Sequence, residues 1–403
     1  MPSASRNPEP IAQILSKNDY TKQSIVKLSS SSVDLEAPLP PSAVRVKTTL
    51  IALTANNLGY AALGTQLHWW DAFPVPSSAS PPFNDSAVYG IVPAWGYATV
   101  LENHWLETSD HRKSLMPLYQ RYVLAHGPPS PLTEPSSAVL EKLAKTALLK
   151  PLWEAAYLLN RFVFIPPGPS NQLPIHPFGS GTWTPQDSDL SSAIVIIIAA
   201  ASKTATAFAS ELSSKRAPDT GPLAIMRVAS TMPDPAIPQN NQPRRSPVAL
   251  RNATYGSMTT RPALDWLSSF PTASDVKIVD FGGRDAAAER LAGTMRGHPA
   301  LAAKRVTIIG VGGVHGPDAP AQWKEGRVAS NASTARDAAV ERVGANVYWR
   351  MLEEAFEEMM ESGGLGLEVR VGSGMRGEEG VEGGWEMLCE GTVGGRTGLA
   401  FWV

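Results

Sequence analysis

The triplet Ser202-Lys203-Thr204 carries residue types that can bind an anion. It follows a continuous, mostly β-branched run at 193–198, which predicts a parallel strand buried on both faces. It also opens an alanine-rich stretch that predicts a helix capped by Ser202. Unpaired N–H groups at a helix start attract negative charge, Lys203 adds a full positive charge, and the two hydroxyls can donate hydrogen bonds. The triplet is therefore a candidate site for the phosphates of a dinucleotide.

The turn before this triplet lacks the glycines that such a site usually has. A dinucleotide-binding turn carries Gly-x-Gly-x-x-Gly, because glycine allows positive φ and lets the backbone approach the pyrophosphate. This chain has Ala199, Ala200 and Ala201, whose Cβ atoms would crowd that approach. Two interpretations stay open: the triplet binds a dinucleotide, or it only caps a helix in a fold that has lost this ability.

The end of the second predicted strand bears on the choice of cofactor. Sites for NAD usually offer Asp or Glu to the ribose there, whereas this chain has Arg227, Ser230 and Thr231. These residues could contact a 2′-phosphate, which favours NADP over NAD, although Arg227 could equally be a solvated surface residue. The remaining cofactor candidates are Tyr255, Gly282, Gly310 and Gly312. The alternative for the glycines is that they only form tight turns.

Candidate catalytic groups are hydrogen-bond donors that could stabilise a developing enolate, and side chains that could supply a proton. The donors are Tyr60, Asn57 and Tyr97, and the proton donors are His68 and His315. Each could instead be a structural polar group. Three tryptophans, Trp69, Trp70 and Trp95, could line an aromatic substrate cavity or simply belong to the core.

Cysteine usage limits the metal chemistry of the chain. Cys389 is the only cysteine, which excludes an internal disulfide and a four-cysteine zinc site and fits a reducing compartment. We expect no metal, and we interpret the acidic runs at 353–358 and 378–382 as solvated surface.

Composition excludes several classes of partner. The chain has 403 residues, 43% of them hydrophobic, and a net charge of −2, which predicts a two-domain globular protein without a nucleic-acid or membrane footprint. The longest apolar run, at 193–201, is too short to span a bilayer, and no signal peptide is evident. We expect a cytoplasmic protein with a small apolar or aromatic substrate, and a homodimer is a further expectation.

Hydrophobic periodicity predicts the elements that must position these residues. Strand and helix patterns alternate from 193 to 311, which is typical of an α/β protein with a doubly wound parallel sheet. The predicted strands are 44–53, 193–198, 223–228, 276–281, 305–311, 367–371, 385–388 and 398–403. The predicted helices are 136–149, a second one after Pro151, 199–212, one around Leu264, 285–296 and 335–361. The predicted domains are a flexible arm at 1–40, a β-rich domain at 41–165, an α/β domain at 166–330 and a returning segment at 331–403.

Five segments, at 52–64, 68–74, 92–100, 149–153 and 199–205, resemble a domain-of-unknown-function family that is similar to the zinc-free medium-chain dehydrogenase/reductases. The resemblance implies a GroES-like β-barrel domain for the substrate, a Rossmann-type domain, and a cleft between them. The family has no settled reaction, but this fold and Lys203 at the helix start together lead us to expect a zinc-independent, NADP-dependent oxidoreductase acting on an enone, quinone or carbonyl compound, in secondary metabolism. The segment at 107–116 and the proline-rich insertion at 233–247 depart from the family pattern.

Two other functions fit the same residues. The missing glycines permit a cofactor-independent, non-redox enzyme that performs a cyclisation, elimination or retro-aldol step on a polyketide-like substrate. The scarcity of strong acid–base groupings permits a non-catalytic binding protein. A fold-level resemblance does not decide between these three.

Overall fold

The computed structural model describes residues 10–28, 39, 44–66, 68–77, 79–103, 136–166, 173–217, 219–231, 248–312 and 326–403. The chain divides into two compact units. Unit 1 comprises Met1–Leu148 and Glu368–Val403, and unit 2 comprises Leu149–Leu367. The predicted domain limits at 165 and 331 differ from these divisions, and the chain returns to unit 1 at Glu368.

The strands of the described residues are, in chain order, β1 (Ile11–Ser16), β2 (Gln23–Lys27), β3 (Val44–Leu53), β4 (Tyr89–Gly90), β5 (Trp95–Asn103), β6 (Ala193–Ile198), β7 (Ala224–Ala229), β8 (Ala249–Thr254), β9 (Asp275–Asp280), β10 (Arg305–Val311), β11 (Arg327–Ser330), β12 (Glu368–Ser373) and β13 (Thr397–Trp402). The helices are α1 (Ala55–Ala62), α2 (Trp69–Ala72), α3 (Ser137–Leu158), α4 (Pro185–Ser188), α5 (Lys203–Ser214), α6 (Arg261–Ser268), α7 (Ala287–Arg296), α8 (Ala332–Val343), α9 (Ala345–Glu361) and α10 (Val381–Cys389). A π-helical turn, Leu159–Val163, follows α3, and a 3₁₀ turn, Gly364–Gly366, follows α9.

Unit 2 contains a six-stranded sheet in the order β11-β10-β9-β6-β7-β8. Every neighbouring pair in it is parallel. Numbered within the unit, this order is 6-5-4-1-2-3, which is the arrangement of dinucleotide-binding sheets. The predicted α/β fold with a Rossmann-type doubly wound sheet is therefore confirmed.

Burial explains which strands the sequence pattern predicts. The central strands β6, β7 and β9 are buried at every position, because helices cover both faces of a doubly wound sheet. The edge strands β8 and β11 are only partly buried. Their sequences therefore lack a continuous apolar run, and the pattern does not predict them.

A buried ion pair joins three helices of unit 2. The Arg336 guanidinium of α8 donates to both carboxylate oxygens of Glu154 of α3, and the Tyr348 hydroxyl of α9 donates to the same carboxylate at 2.7 Å. Burial and the adjacent carboxylate raise the pKa of Tyr348, so its hydroxyl remains a donor at neutral pH. Because each member is paired, the three helices share one satisfied polar network.

Unit 1 is rich in β structure, as predicted, and its described residues form two sheets. One has the order β2-β1-β4, and the other has the order β12-β13-β3-β5. The strand predicted at 44–53 is confirmed as β3, and the strands predicted at 367–371 and 398–403 are confirmed as β12 and β13.

The prediction of a flexible arm over 1–40 is wrong for residues 10–28. There β1 pairs with β2, and Ile14 and Leu15 of β1 are buried. Trp385 of α10 donates its indole N–H to the Tyr20 carbonyl at 2.9 Å. Leu15 packs in a cluster with Trp385, and Ile14 packs in a cluster with Val75; a local pattern does not reveal these contacts between distant segments.

Three further predictions are corrected by the structure. The predicted pair of helices around Pro151 is one helix, α3, in which the buried neighbours Leu148, Leu149 and Trp153 offset the hydrogen bond that proline cannot make. The predicted helix at 335–361 is two helices that meet at Gly344, whose φ is 84°. The predicted strand at 385–388 lies in α10.

Candidate functional site

The turn between β6 and α5 has the predicted local geometry. Ser202 caps α5, and its hydroxyl accepts a hydrogen bond from the Ala205 amide at 3.3 Å. Ala199 has a φ of 59°, so an alanine adopts the left-handed conformation that glycine favours. The Ala200 amide donates to the Val228 carbonyl of β7 at 2.9 Å. The turn therefore contains a left-handed residue, as a glycine turn would, while carrying alanine side chains.

Three backbone N–H groups of this turn are open to a ligand. Within the described residues, the amides of Ala201, Lys203 and Thr204 have no hydrogen-bond partner. They lie at the carboxyl end of the central strand β6, which is where open parallel sheets bind their ligands. This end of α5 can therefore accept an anion.

Lys203 is the charged group at this helix end. Its side chain is half-buried, and burial lowers the pKa of its ammonium to about 8. No carboxylate among the described residues pairs with it. An anionic ligand would supply the negative charge that the surroundings of Lys203 lack.

Arg227 lies inside the sheet, opposite Ile197 of β6 and Asn252 of β8. It is 2% exposed, so the alternative of a solvated surface residue is wrong. Burial at this depth also argues against a contact between its guanidinium and a 2′-phosphate. Ser230 and Thr231, by contrast, are exposed directly after β7 and remain candidates for that contact.

Tyr255 follows β8 and is half-buried. Burial and the Asp280 carboxylate raise the pKa of its hydroxyl, while the backbone N–H groups of Ala199 and Arg284 oppose the rise. These contacts place the phenol beside the β6–α5 turn. The Arg284 guanidinium lies 6.0 Å from the centre of the Tyr255 ring.

The glycine candidates form turns or close contacts at the ends of β9 and β10. Gly282 has a φ of 104°, and Gly312 has a φ of 75°. Gly310 is buried in β10, between Asp280 of β9 and Ala329 of β11. Their backbone roles are therefore established, and their contact with a cofactor stays a prediction.

A buried ionic network that the sequence pattern did not single out holds the turn after β9. One carboxylate oxygen of Asp280 accepts from the Gly282 and Gly283 amides at 3.2 and 2.6 Å, and the other accepts from Arg327 at 3.0 Å. Arg327 also pairs with Glu289 of α7 at 2.5 and 2.8 Å. An acid as the last residue of a buried strand was the available signal, because a carboxylate there needs a partner.

Two of the three donors predicted to stabilise an enolate, Asn57 and Tyr60, have structural roles in unit 1. The Asn57 side chain accepts from the Thr54 amide at 2.8 Å and donates to the Pro93 carbonyl at 3.0 Å, and it is 1% exposed. Tyr60 accepts from the Asn56 side chain at 3.0 Å and stacks on Trp69 with ring centres 4.2 Å apart. These contacts complete the cap of α1 and part of the core, so they do not favour a catalytic role.

The other catalytic candidates differ in accessibility. His68 is exposed, and its Nδ1 lies 2.8 Å from the Asp71 carboxylate. Tyr97 is half-buried in β5, opposite Leu50 of β3. His315 lies outside the described residues.

The tryptophan candidates Trp69 and Trp70 belong to the core of unit 1. Trp70 fits between two glycines, because a Cβ atom would come within 2.1 Å of its indole at Gly64 and 2.3 Å at Gly90. Trp95 is half-buried. For the first two, the core interpretation is confirmed.

The described ranges hold neither a metal-binding cluster nor a membrane-spanning helix. In these ranges, no three His, Cys, Asp or Glu side chains are grouped so that they could hold a metal ion. Likewise, no helix there combines the length and apolar character needed to cross a bilayer.

Burial raises the pKa of the Cys389 thiol to about 11, which disfavours the thiolate.

Comparison with known proteins assigns the chain to a family. Residues 51–104 and 101–394 match the family described as "Protein of unknown function (DUF2855)", so the chain belongs to it. Among curated proteins, none matches the chain by sequence.

Solved structures give low similarity scores. The human synaptic vesicle membrane protein VAT-1 homolog-like protein is 12% identical, with a TM-score of 0.43, and 98% of each chain is covered. The complex of Etr1p with NADP and crotonyl-CoA is 11% identical, with a TM-score of 0.46, covering 98% of this chain and 99% of that one. A nucleoside-diphosphate-sugar epimerase from Agrobacterium tumefaciens is 12% identical, with a TM-score of 0.21, covering 40% of this chain and 49% of that one. All three scores lie below 0.5, so they assign neither a substrate nor a cofactor.

Proposed function

We propose that this protein is a zinc-independent, NADP-dependent oxidoreductase that reduces an enone, quinone or carbonyl compound. The observation that carries the proposal is the β6–α5 turn, where open amides and Lys203 lie at the carboxyl end of the central strand of a dinucleotide-type sheet. NADPH, when bound, supplies a hydride.

The residues around this turn fit the phosphates of such a cofactor. The amides of Lys203 and Thr204, with the Lys203 ammonium, would hold the pyrophosphate. Ser230 and Thr231 would hold the 2′-phosphate, and the two positions carry no acid that would repel it. This set favours NADP over NAD.

Within the described residues, His68 is an exposed candidate proton donor. Its contact with Asp71 fixes one ring nitrogen, so that the other can carry a proton to a substrate. A small apolar or aromatic substrate is part of the proposal. Homodimer formation, a cytoplasmic location and a role in secondary metabolism stay predictions.

Calorimetric titration of the intact protein with NADPH and NADH tests the proposal. We expect NADPH to bind more tightly than NADH, and Lys203→Met to weaken NADPH about tenfold or more, because a charge-assisted contact to phosphate is lost. Lys203→Arg keeps the charge and is the matched control. Absence of NADPH binding by the unaltered protein would refute the proposal.

Activity is then measured as consumption of NADPH with a panel of enones, quinones and aldehydes. We expect turnover of at least one class, reduced in His68→Gln with little change in NADPH affinity. Binding without turnover across all classes would indicate a binding protein instead.

A further inference from the structure

Two loops of unit 2 contact each other across the carboxyl ends of the parallel strands. Tyr255 follows β8, and Arg284 belongs to the turn after β9. In the sheet, β6 and β7 lie between these two strands. The 6.0 Å approach of Arg284 to the Tyr255 ring therefore passes across the carboxyl ends of the two strands that would carry a dinucleotide.

Backbone contacts hold Tyr255 in place. Its amide donates to the Ala229 carbonyl of β7 at 3.3 Å, and the Thr254 amide beside it donates to the Ser257 hydroxyl at 2.9 Å. Its hydroxyl lies near the Ala199 amide of the β6–α5 turn. The hydroxyl end of a half-buried aromatic ring is thus held at the β6–α5 turn.

Arg284 is held from the other side by the backbone of its turn. The Asp280 carboxylate binds the two amides that precede Arg284, and Gly283 packs so closely that a Cβ atom would lie 2.3 Å from Ile198. The Arg284 side chain itself is exposed, and it forms no ion pair within the described residues. The turn therefore presents a guanidinium that no carboxylate of the described residues pairs with.

We propose that Tyr255 and Arg284 receive the adenine ring of the nucleotide between them. This inference rests on the proposed function and deepens it by assigning the base-binding contact. A planar base that stacks between two planar groups makes one contact of about 3.5 Å on each face, so the two groups must lie about 7 Å apart. The present 6.0 Å separation would have to widen by only about 1 Å. Stacking on the tyrosine and the charge of the arginine both favour a purine.

The test measures the affinity of the full-length protein for NADPH, for ADP and for inorganic pyrophosphate. We expect Arg284→Ala and Tyr255→Leu each to weaken NADPH and ADP about tenfold and to leave pyrophosphate within about twofold. Tyr255→Phe keeps the ring and should stay within about twofold of the unaltered protein. Arg296→Ala removes an exposed arginine at the far end of α7 and is the matched charge control.

The outcomes separate this inference from the proposed function. If NADPH binds and both variants leave it unchanged, the adenine contact is wrong while the reductase stands. If ADP binds and is weakened by both variants, but NADPH is neither bound nor consumed, the adenine contact holds while the reductase falls. Tighter binding in either variant, or no binding of ADP by the unaltered protein, would overturn the adenine contact. Melting temperatures of all variants exclude unfolding as the cause of any loss.

Discussion

Lys203 shows how one residue type acquires its chemistry from its position. The sequence places a positive charge at a helix start, where the helix dipole and burial both disfavour that charge. A pKa of about 8 means that the side chain is only partly charged in mildly basic solution. An anion bound beside it would restore the proton.

The first prediction concerns this proton. Binding of NADPH near pH 8 should take up a proton, and affinity should fall by up to about tenfold per pH unit above that value, because the uncharged amine no longer attracts phosphate. Calorimetry in buffers of different ionisation enthalpy measures the uptake. Lys203→Arg cannot titrate in this range, so its affinity should show neither effect; proton uptake by that variant would contradict the assignment.

The same shift affects stability with a defined sign. The folded-state pKa of about 8 lies below the value of 10.5 of an unperturbed lysine. Between these values the unfolded chain binds more protons than the folded one, so the contribution of Lys203 to the free energy of unfolding rises with pH across this window. Below about pH 8 its burial is a constant cost.

At the scale of elements, a glycine can end a helix or lie within one, depending on its backbone conformation. Gly344 separates α8 from α9 with a φ of 84° and a ψ of 143°, a conformation that other residues rarely adopt. Gly293 lies within α7, and a Cβ atom there would meet nothing within 4 Å. The periodicity of 335–361 continues through Gly344, which explains why the pattern predicts a single helix.

The second prediction compares these two glycines. Gly344→Ala should lower the free energy of unfolding by about 1 to 3 kcal/mol, because the backbone is strained by a Cβ atom. Gly293→Ala should raise it by about 0.5 to 1 kcal/mol, because alanine favours a helix interior. Urea denaturation followed by circular dichroism measures both. An equal loss in the two variants would show that backbone conformation is not the cause.

At the scale of the whole molecule, each unit has its own buried aromatic anchor. Trp385 is 1% exposed in unit 1 and ties α10 to the N-terminal hairpin. Trp153 is 1% exposed in unit 2, where it stacks on Tyr157 with ring centres 5.1 Å apart. Removal of either side chain leaves a large cavity in one unit only.

The third prediction follows from these separate cores. Calorimetry should resolve two thermal transitions. Trp385→Ala should lower the midpoint temperature of one and Trp153→Ala that of the other. Each substitution should lower the free energy of unfolding of its own unit by about 3 to 5 kcal/mol. NADPH should raise only the transition that Trp153→Ala lowers, because a ligand stabilises the unit that binds it. A single transition shifted by both variants would show that the two units unfold together.

Local sequence patterns predict four of the six parallel strands, β6, β7, β9 and β10, together with the cap at Ser202 and the α/β class. These follow from local rules, since a strand buried on both faces needs a continuous apolar run, and a helix start needs a side-chain acceptor. The residue types also predict Lys203 as an anion-binding residue, but its burial depends on the fold.

Which of the polar candidates a ligand can reach depends on contacts between distant parts of the chain. Arg227 and Asn57 have suitable chemistry, but packing buries one in the sheet and uses the other in a helix cap. Tyr255 and Arg284 are distant in sequence and meet because β8 and β9 flank the same two strands. Accessibility and proximity depend on contacts between distant segments, and a local pattern contains no information about them.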